Sequence, residues 1–96
     1  MIGKIRRLVL DVLKPMEPNI IELAQTISRN DGVSAVNISM VEIDLKVENA
    51  KITVEGDNIV YELLRDQIED MGGSIHSIDE VVAGKMIIDD AATLQD

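Results

Sequence analysis

Side chains that could bind a cation are concentrated in two stretches of this sequence. Residues 42–55 contain carboxylates that a β-hairpin would bring together, and residues 76–80 contain the only histidine of the chain beside two further carboxylates. Carboxylate oxygens are the ligands that Ca²⁺ and Mg²⁺ prefer, and an imidazole oriented by a carboxylate can bind a metal or accept a proton. The sequence therefore predicts a site for Ca²⁺ or Mg²⁺ with the candidate ligands Glu42, Asp44, Glu55, His76, Asp79 and Glu80.

A hairpin over the first stretch would place Glu42 directly opposite Glu55, with Asp44 two residues along. Facing carboxylates repel each other unless a positive charge lies between them. Either a bound cation or the nearby Lys46 and Lys51 could supply that charge.

The second stretch also has a structural interpretation. If the last strand lies antiparallel beside the first, Asp11 faces His76 and Arg7 faces Glu80. Each opposite-charge pair contributes only ~0.2–1 kcal/mol and would mainly select the strand register. The functional interpretation is that Asp11 orients His76 toward a ligand.

Catalytic motifs are absent from the sequence. No serine is bracketed by glycines as in a nucleophile elbow, and the pair Gly72 and Gly73 is not followed by the lysine and serine of a phosphate-binding loop. We expect the protein not to be an enzyme.

Composition excludes several classes of partner. Eighteen acidic and nine basic residues give a net charge of -9, which opposes binding to nucleic acid. The absence of cysteine excludes disulfides, iron–sulfur clusters and thiolate zinc sites. No apolar run approaches the ~20 residues of a membrane span, and the first residues lack the long apolar segment of a secretion signal. We therefore expect a cytoplasmic protein that binds neither membranes nor nucleic acid.

The elements that would position these side chains follow one repeated pattern. Residues 4–46 and 51–85 each read as a strand, an amphipathic helix, a glycine stop and a second strand. The order βαββαβ predicts an α+β ferredoxin-like sandwich, with an antiparallel sheet of strand order 4-1-3-2 and two helices on one face. We expect one domain over residues 1–88 and an acidic tail over residues 89–96.

Both helices have recognisable start and stop signals. Pro18 suits the first turn of the first helix, and Gly32 could end that helix with a positive φ. Asp57 or Asn58 could cap the second helix. The apolar stripes that should face the sheet are Ile20, Leu23, Ala24 and Ile27 in the first helix, and Val60, Leu63, Leu64, Ile68 and Met71 in the second.

Strands two and four form the edges of this predicted sheet. A change of phase in the second strand predicts a β-bulge near Met40 and Val41. Both edge strands are long and free of proline, so they should pair with other copies of the chain. Pairing of two different edges is heterologous and produces a ring where the rotation closes. Such pairing could bring Asp79 and Glu80 near Glu42 and Asp44 of a neighbour.

Several segments of the sequence look like parts of a known family. They are residues 10–15, 17–18, 32–33, 36–38, 42–44, 48–49 and 51–53 and, most specifically, residues 72–84. These segments resemble the mainly archaeal family known as domain of unknown function 211. The resemblance covers nearly the whole chain and implies a ferredoxin-like domain that forms ring-like oligomers and has no established activity. Met16 stands where that family's Lys-Pro-His-Glu-Pro stretch would have histidine, so a metal role that needs an imidazole there is not expected.

Together these features predict a non-catalytic, ring-forming homo-oligomer that binds a divalent cation or another small ligand at its subunit boundaries. The alternative is an amino-acid-sensing regulatory domain that acts on a partner enzyme, because the same fold supports ligands bound between paired subunits. A metal-carrier module would require thiols that this chain lacks.

Overall fold

A computed structural model describes residues 3–44 and 46–88 of the chain. The elements are β1 (Ile5–Lys14), α1 (Ile20–Ser28), β2 (Val33–Ile43), β3 (Glu48–Ile59), α2 (Tyr61–Asp70) and β4 (Ser74–Ala83). The strands form one antiparallel sheet of order β2-β3-β1-β4. The predicted ferredoxin-like βαββαβ fold is confirmed, whereas the acidic tail at 89–96 lies outside the described residues.

The core lies between the sheet and the two helices. Alternation along β1 directs Leu8, Leu10 and Val12 to the helix-covered face, as the period-two pattern of the strand predicts. These residues pack against Ile52 and Val54 of the adjacent central strand. The helices complete the cluster with Leu23, Ile27, Leu64 and Ile68.

Helix α1 ends differently from the prediction. Asn19 is the N-cap, and its Oδ1 accepts a hydrogen bond from the Glu22 N–H at 3.0 Å, so Pro18 precedes the helix instead of lying in its first turn. The C-cap, Arg29, has an ordinary right-handed conformation. The expected positive φ at Gly32 is wrong, because the described glycines with positive φ are Gly72 and Gly84.

Helix α2 starts later and buries a narrower stripe than predicted. Strand β3 continues to Ile59, so Asp57 and Asn58 belong to the strand, and Val60 takes the N-cap position without a side-chain cap. Leu64 and Ile68 are buried, as expected. Val60 and Leu63 are exposed instead, because the first turn of α2 lies beside an open cleft.

Both edge strands contain β-bulges. The predicted bulge in β2 is confirmed, since Met40 pairs with Ala50 and Glu42 with Asn49, which leaves Val41 as the extra residue. In β4 the register skips His76 and Asp79. These two bulges were not predicted, and they determine where the charged residues of β4 lie.

Candidate functional site

The predicted cation ligands lie at separate places on the sheet. Glu42 and Asp44 are at the exposed end of β2, Glu55 and Glu80 lie beside β1, and His76 and Asp79 are on the outer edge of β4. Among residues 3–44 and 46–88, no group of three or more His, Cys, Asp or Glu side chains could hold a metal ion.

The predicted pairing of Glu42 with Glu55 is wrong. Glu42 faces Asn49, and Glu55 faces Ala35 on β2 and Arg7 on β1. The hairpin closes tightly, because the N–H of Asp44 donates to the carbonyl of Val47 at 3.0 Å. This register removes the facing carboxylates that suggested a cation in the hairpin.

The predicted pairing of Asp11 with His76 is also wrong. The bulge at His76 shifts the register so that Asp11 faces Ser77. The carboxylate of Asp11 accepts a hydrogen bond from Nδ2 of Asn49 on the other side of β1. His76 is exposed on the outer edge of the sheet, so Asp11 does not orient its imidazole.

Arg7 joins two of the predicted ligands on the open face of the sheet. Its Nε lies 2.7 Å from Oε2 of Glu55, and its Nη1 lies 3.2 Å from Oε2 of Glu80. The predicted ion pair with Glu80 therefore forms, although Val82 is the residue directly opposite Arg7. The hydrogen bond to Glu55 is the main cause that raises the pKa of Arg7 above its ordinary value. Glu55 and Glu80 thus already have a cationic partner.

Sequence reasoning missed a buried ion pair at the other end of β1. Lys14 is 3% exposed, and its Nζ lies 2.7 Å from Oε1 of Glu48. The same ammonium donates to the carbonyl of Pro15 at 2.7 Å. The signal was present, since Lys14 shares the period-two phase of the core residues Leu8, Leu10 and Val12. Glu48 is less enclosed than Lys14, because 13% of its side chain is exposed.

Comparison with known proteins agrees with the resemblance. Residues 6–96 match the family described as uncharacterised ArCR, domain of unknown function 211. An uncharacterised protein of Methanocaldococcus jannaschii is 50% identical over 92 residues, which cover 96% of this chain and 95% of that protein. The chain belongs to this family.

The most specific block of the family resemblance has a clear structural counterpart. Residues 72–84 comprise β4 with both of its bulges, flanked by Gly72 at φ 91° and Gly84 at φ 125°.

Neither the description of the family nor that of the Methanocaldococcus jannaschii protein names a reaction, an amino-acid ligand or a partner enzyme, so the amino-acid-sensing alternative stays a prediction.

The described residues contain no helix with the length and apolar character that a membrane span requires.

The two edges of the sheet are a further candidate for a functional surface. Two apolar rows cross all four strands on the helix-covered face. They end on β4 at Ile78 and Val81, which are 48% and 52% exposed. In order β2-β3-β1-β4, one row is Val36, Val54, Leu8 and Val81, and the other is Ile38, Ile52, Leu10 and Ile78.

Proposed function

We propose that this protein acts as a head-to-tail homo-oligomer in which β4 of each copy pairs with β2 of the next, closing into a ring. The supporting observation is the pair of apolar rows that reach both edges. β1 runs opposite to β3 and β4, and β2 runs opposite to β3. A further copy added in the same orientation therefore presents its β2 antiparallel to β4, and the two strands have 11 and 10 residues.

In this arrangement the apolar rows continue across the boundary between copies. Ile78 lies level with Ile38 of the next copy, and Val81 lies level with Val36 of the next copy. Complete burial of such a side chain contributes ~1.5–3 kcal/mol. Side-chain burial therefore adds to the backbone hydrogen bonds of the shared strand pair.

The bulges of β4 bend the strand at the proposed boundary between copies. A bulge bends its strand and increases the local twist. Because His76 and Asp79 are the bulged residues, Ile78 lies between the two bends. Each boundary repeats the same rotation between successive copies, and the assembly is a ring where these rotations complete one full turn without translation along the axis.

The boundary between copies also brings different candidate ligands together. Glu42 lies in the same row as Asn49, Leu13 and Ser74, so Glu42 of the next copy approaches the start of β4 near His76. Glu80 lies level with Asn37, about 13 Å along β2 from Glu42 at ~3.3 Å per ladder position. We therefore propose that Ca²⁺ or Mg²⁺ binds the carboxylates of Glu42 and Asp44 of one copy, at the boundary beside the start of β4 of its neighbour.

Edge-directed variants test the assembly. Ile78→Lys places a charge at the β4 edge, and Ile38→Lys places one at the β2 edge. In a single copy each lysine can extend past the edge to water, whereas in the pairing its ammonium would be buried. Each variant alone is expected to be monomeric by size-exclusion chromatography with light scattering, and an equimolar mixture is expected to form dimers.

The mixture distinguishes heterologous from self-complementary pairing. Each mixed dimer uses the intact β2 edge of Ile78→Lys and the intact β4 edge of Ile38→Lys. If Ile38→Lys dimerises on its own, pairing of two β4 edges replaces the head-to-tail arrangement. A wild-type protein that is monomeric at micromolar concentration refutes the proposed assembly.

The cation site has its own test. Ca²⁺ or Mg²⁺ is expected to raise the melting temperature of the wild-type oligomer, because the ion binds the folded state in preference to the unfolded chain. Glu42→Gln should abolish this shift, because it removes a carboxylate ligand, while Glu69→Gln on the exposed face of α2 should leave it unchanged. Calorimetric titration without heat, together with an unchanged melting temperature, would exclude the site.

A further inference from the structure

A cleft of about 370 Å³ opens on the helix-covered side of the sheet, between the end of α1 and the start of α2. Its walls include Val33, Val60 and Leu63, and its rim carries Arg29 and Asp31. Val60 and Leu63 are 41% and 52% exposed. A concave apolar surface with a few charged groups at its rim is typical of a binding site.

An exposed apolar segment follows β4 at the same end of the sheet. It consists of Met86, Ile87 and Ile88, all of which are exposed. The chain is anchored just before it, because the N–H of Gly84 donates to the carbonyl of Lys4 at 2.9 Å. Nη1 of Arg6 also donates to the carbonyl of Lys85 at 2.6 Å. The segment therefore leaves the sheet from a fixed point.

We propose that segment 86–88 of one copy packs into the cleft of the next copy. This inference rests on the head-to-tail assembly proposed above. Val33 begins β2 and Ala83 ends β4, and both lie at the same end of the sheet. In the assembly Ala83 therefore adjoins Val33 of the next copy. Continuing antiparallel, the chain after Ala83 passes residues 28–32 of that copy, which include the rim of the cleft.

The charges on the two partners are complementary in this direction. Lys85 precedes the apolar segment, and Asp89 and Asp90 follow it in the sequence. In the antiparallel arrangement Lys85 passes Asp31 of the next copy, and Ile87 passes Arg29 of the next copy. The opposite charges of Lys85 and Asp31 favour this arrangement.

The absence of native cysteine allows a direct cross-linking test. In the variant with Leu63→Cys and Ile87→Cys, mild oxidation is expected to produce disulfides between copies and a ladder of covalent oligomers on a non-reducing gel. The matched control combines Ile21→Cys with Ile87→Cys, because Ile21 is an exposed residue of α1 outside the cleft. The control is expected to stay uncross-linked under the same conditions.

The other outcomes overturn the inference in distinguishable ways. An intrachain disulfide would show that the segment occupies the cleft of its own copy, and free thiols in an assembled oligomer would show that it does not occupy a cleft at all. Equal cross-linking of the control variant would show that the disulfides form in random collisions, and the result would then not support docking in the cleft. Light scattering before oxidation separates these results from failure of the assembly, which would leave the variant monomeric.

A charged residue introduced into the cleft gives a quantitative test of docking by segment 86–88. Leu63→Asp should raise the protein concentration at which half of the oligomer dissociates about tenfold, since an apolar contact is lost. Ile21→Asp makes the same kind of change outside the cleft and should alter that concentration less than about twofold. Equal effects of the two variants would contradict docking in the cleft.

Discussion

Lys14→Met is expected to destabilise the folded chain by about 3 kcal/mol, the lower end of the usual cost for a buried pair, because it leaves the carboxylate of Glu48, which is 13% exposed, without its cation. The Lys14 side chain is almost fully enclosed, and Glu48 Oε1 lies 2.7 Å from its ammonium. Methionine fills nearly the same space, so the loss comes from the charge and its hydrogen bonds. A total stability of ~5–15 kcal/mol is usual for such domains, and this loss would be a large part of it. Urea unfolding followed by circular dichroism measures it.

Two further variants show whether the ion pair itself is responsible. Lys14→Met combined with Glu48→Leu should recover most of the lost stability, because removal of both charges leaves no unpaired group in the core. Lys51→Met changes an exposed lysine of β3 and should alter stability by less than about 0.5 kcal/mol. All variants are compared at one protein concentration, since assembly adds a concentration-dependent contribution. If the free energy of unfolding of Lys14→Met lies within about 1 kcal/mol of the wild-type value, the ion pair of Lys14 with Glu48 does not stabilise the fold as proposed.

The fold could be predicted from the sequence because its signals are local. Alternation in β1, the apolar stripe of α1 and the glycines after each helix each report on a few consecutive residues. The same pattern placed Leu8, Leu10 and Val12 in the core correctly. Lys14 shares the phase of these residues, but a lysine is almost never buried unless it is paired, so its residue type predicts exposure.

The positions of the candidate site residues could not be predicted to the same degree, because they depend on the register between paired strands. Each bulge, at His76 and at Asp79, shifts the later residues of β4 by one position relative to β1. No residue type in β4 predicts these bulges. This shift separates His76 from Asp11. Arg7 still reaches Glu80, because a long side chain can span a diagonal position.

Gly32, in the connection after α1, shows a second limit of prediction from the local sequence. Gly32 was expected to supply a positive φ, but it is required for a close approach between two parts of the backbone. A Cβ atom on Gly32 would lie 1.8 Å from the carbonyl oxygen of Asn58. Such a steric requirement arises between distant segments, so the local sequence cannot reveal it.

Gly56→Ala is expected to destabilise the chain by about 3 kcal/mol, at the upper end of the usual cost of overpacking. The new Cβ would lie 2.0 Å from the carbonyl oxygen of Gly32 and 2.9 Å from Cα of Val33. Both neighbours are backbone atoms, so β2 and β3 must separate to admit the methyl group. The separation would weaken the hydrogen bonds from Asn58 N–H to Gly32 O and from Arg6 Nε to Gly56 O. Thermal and urea unfolding measure the loss.

Gly3→Ala is the matched control, because its Cβ would meet its nearest neighbour, the nitrogen of Gly84, at an ordinary 3.5 Å. It should leave stability within about 0.5 kcal/mol of wild type. Since Gly32 and Val33 also form part of the cleft, separation of β2 from β3 should distort the proposed docking surface as well. Gly56→Ala should therefore lose oligomer under conditions in which the chain is still folded. A variant that is as stable and as fully assembled as wild type would show that the junction between Gly32 and Gly56 can open without cost.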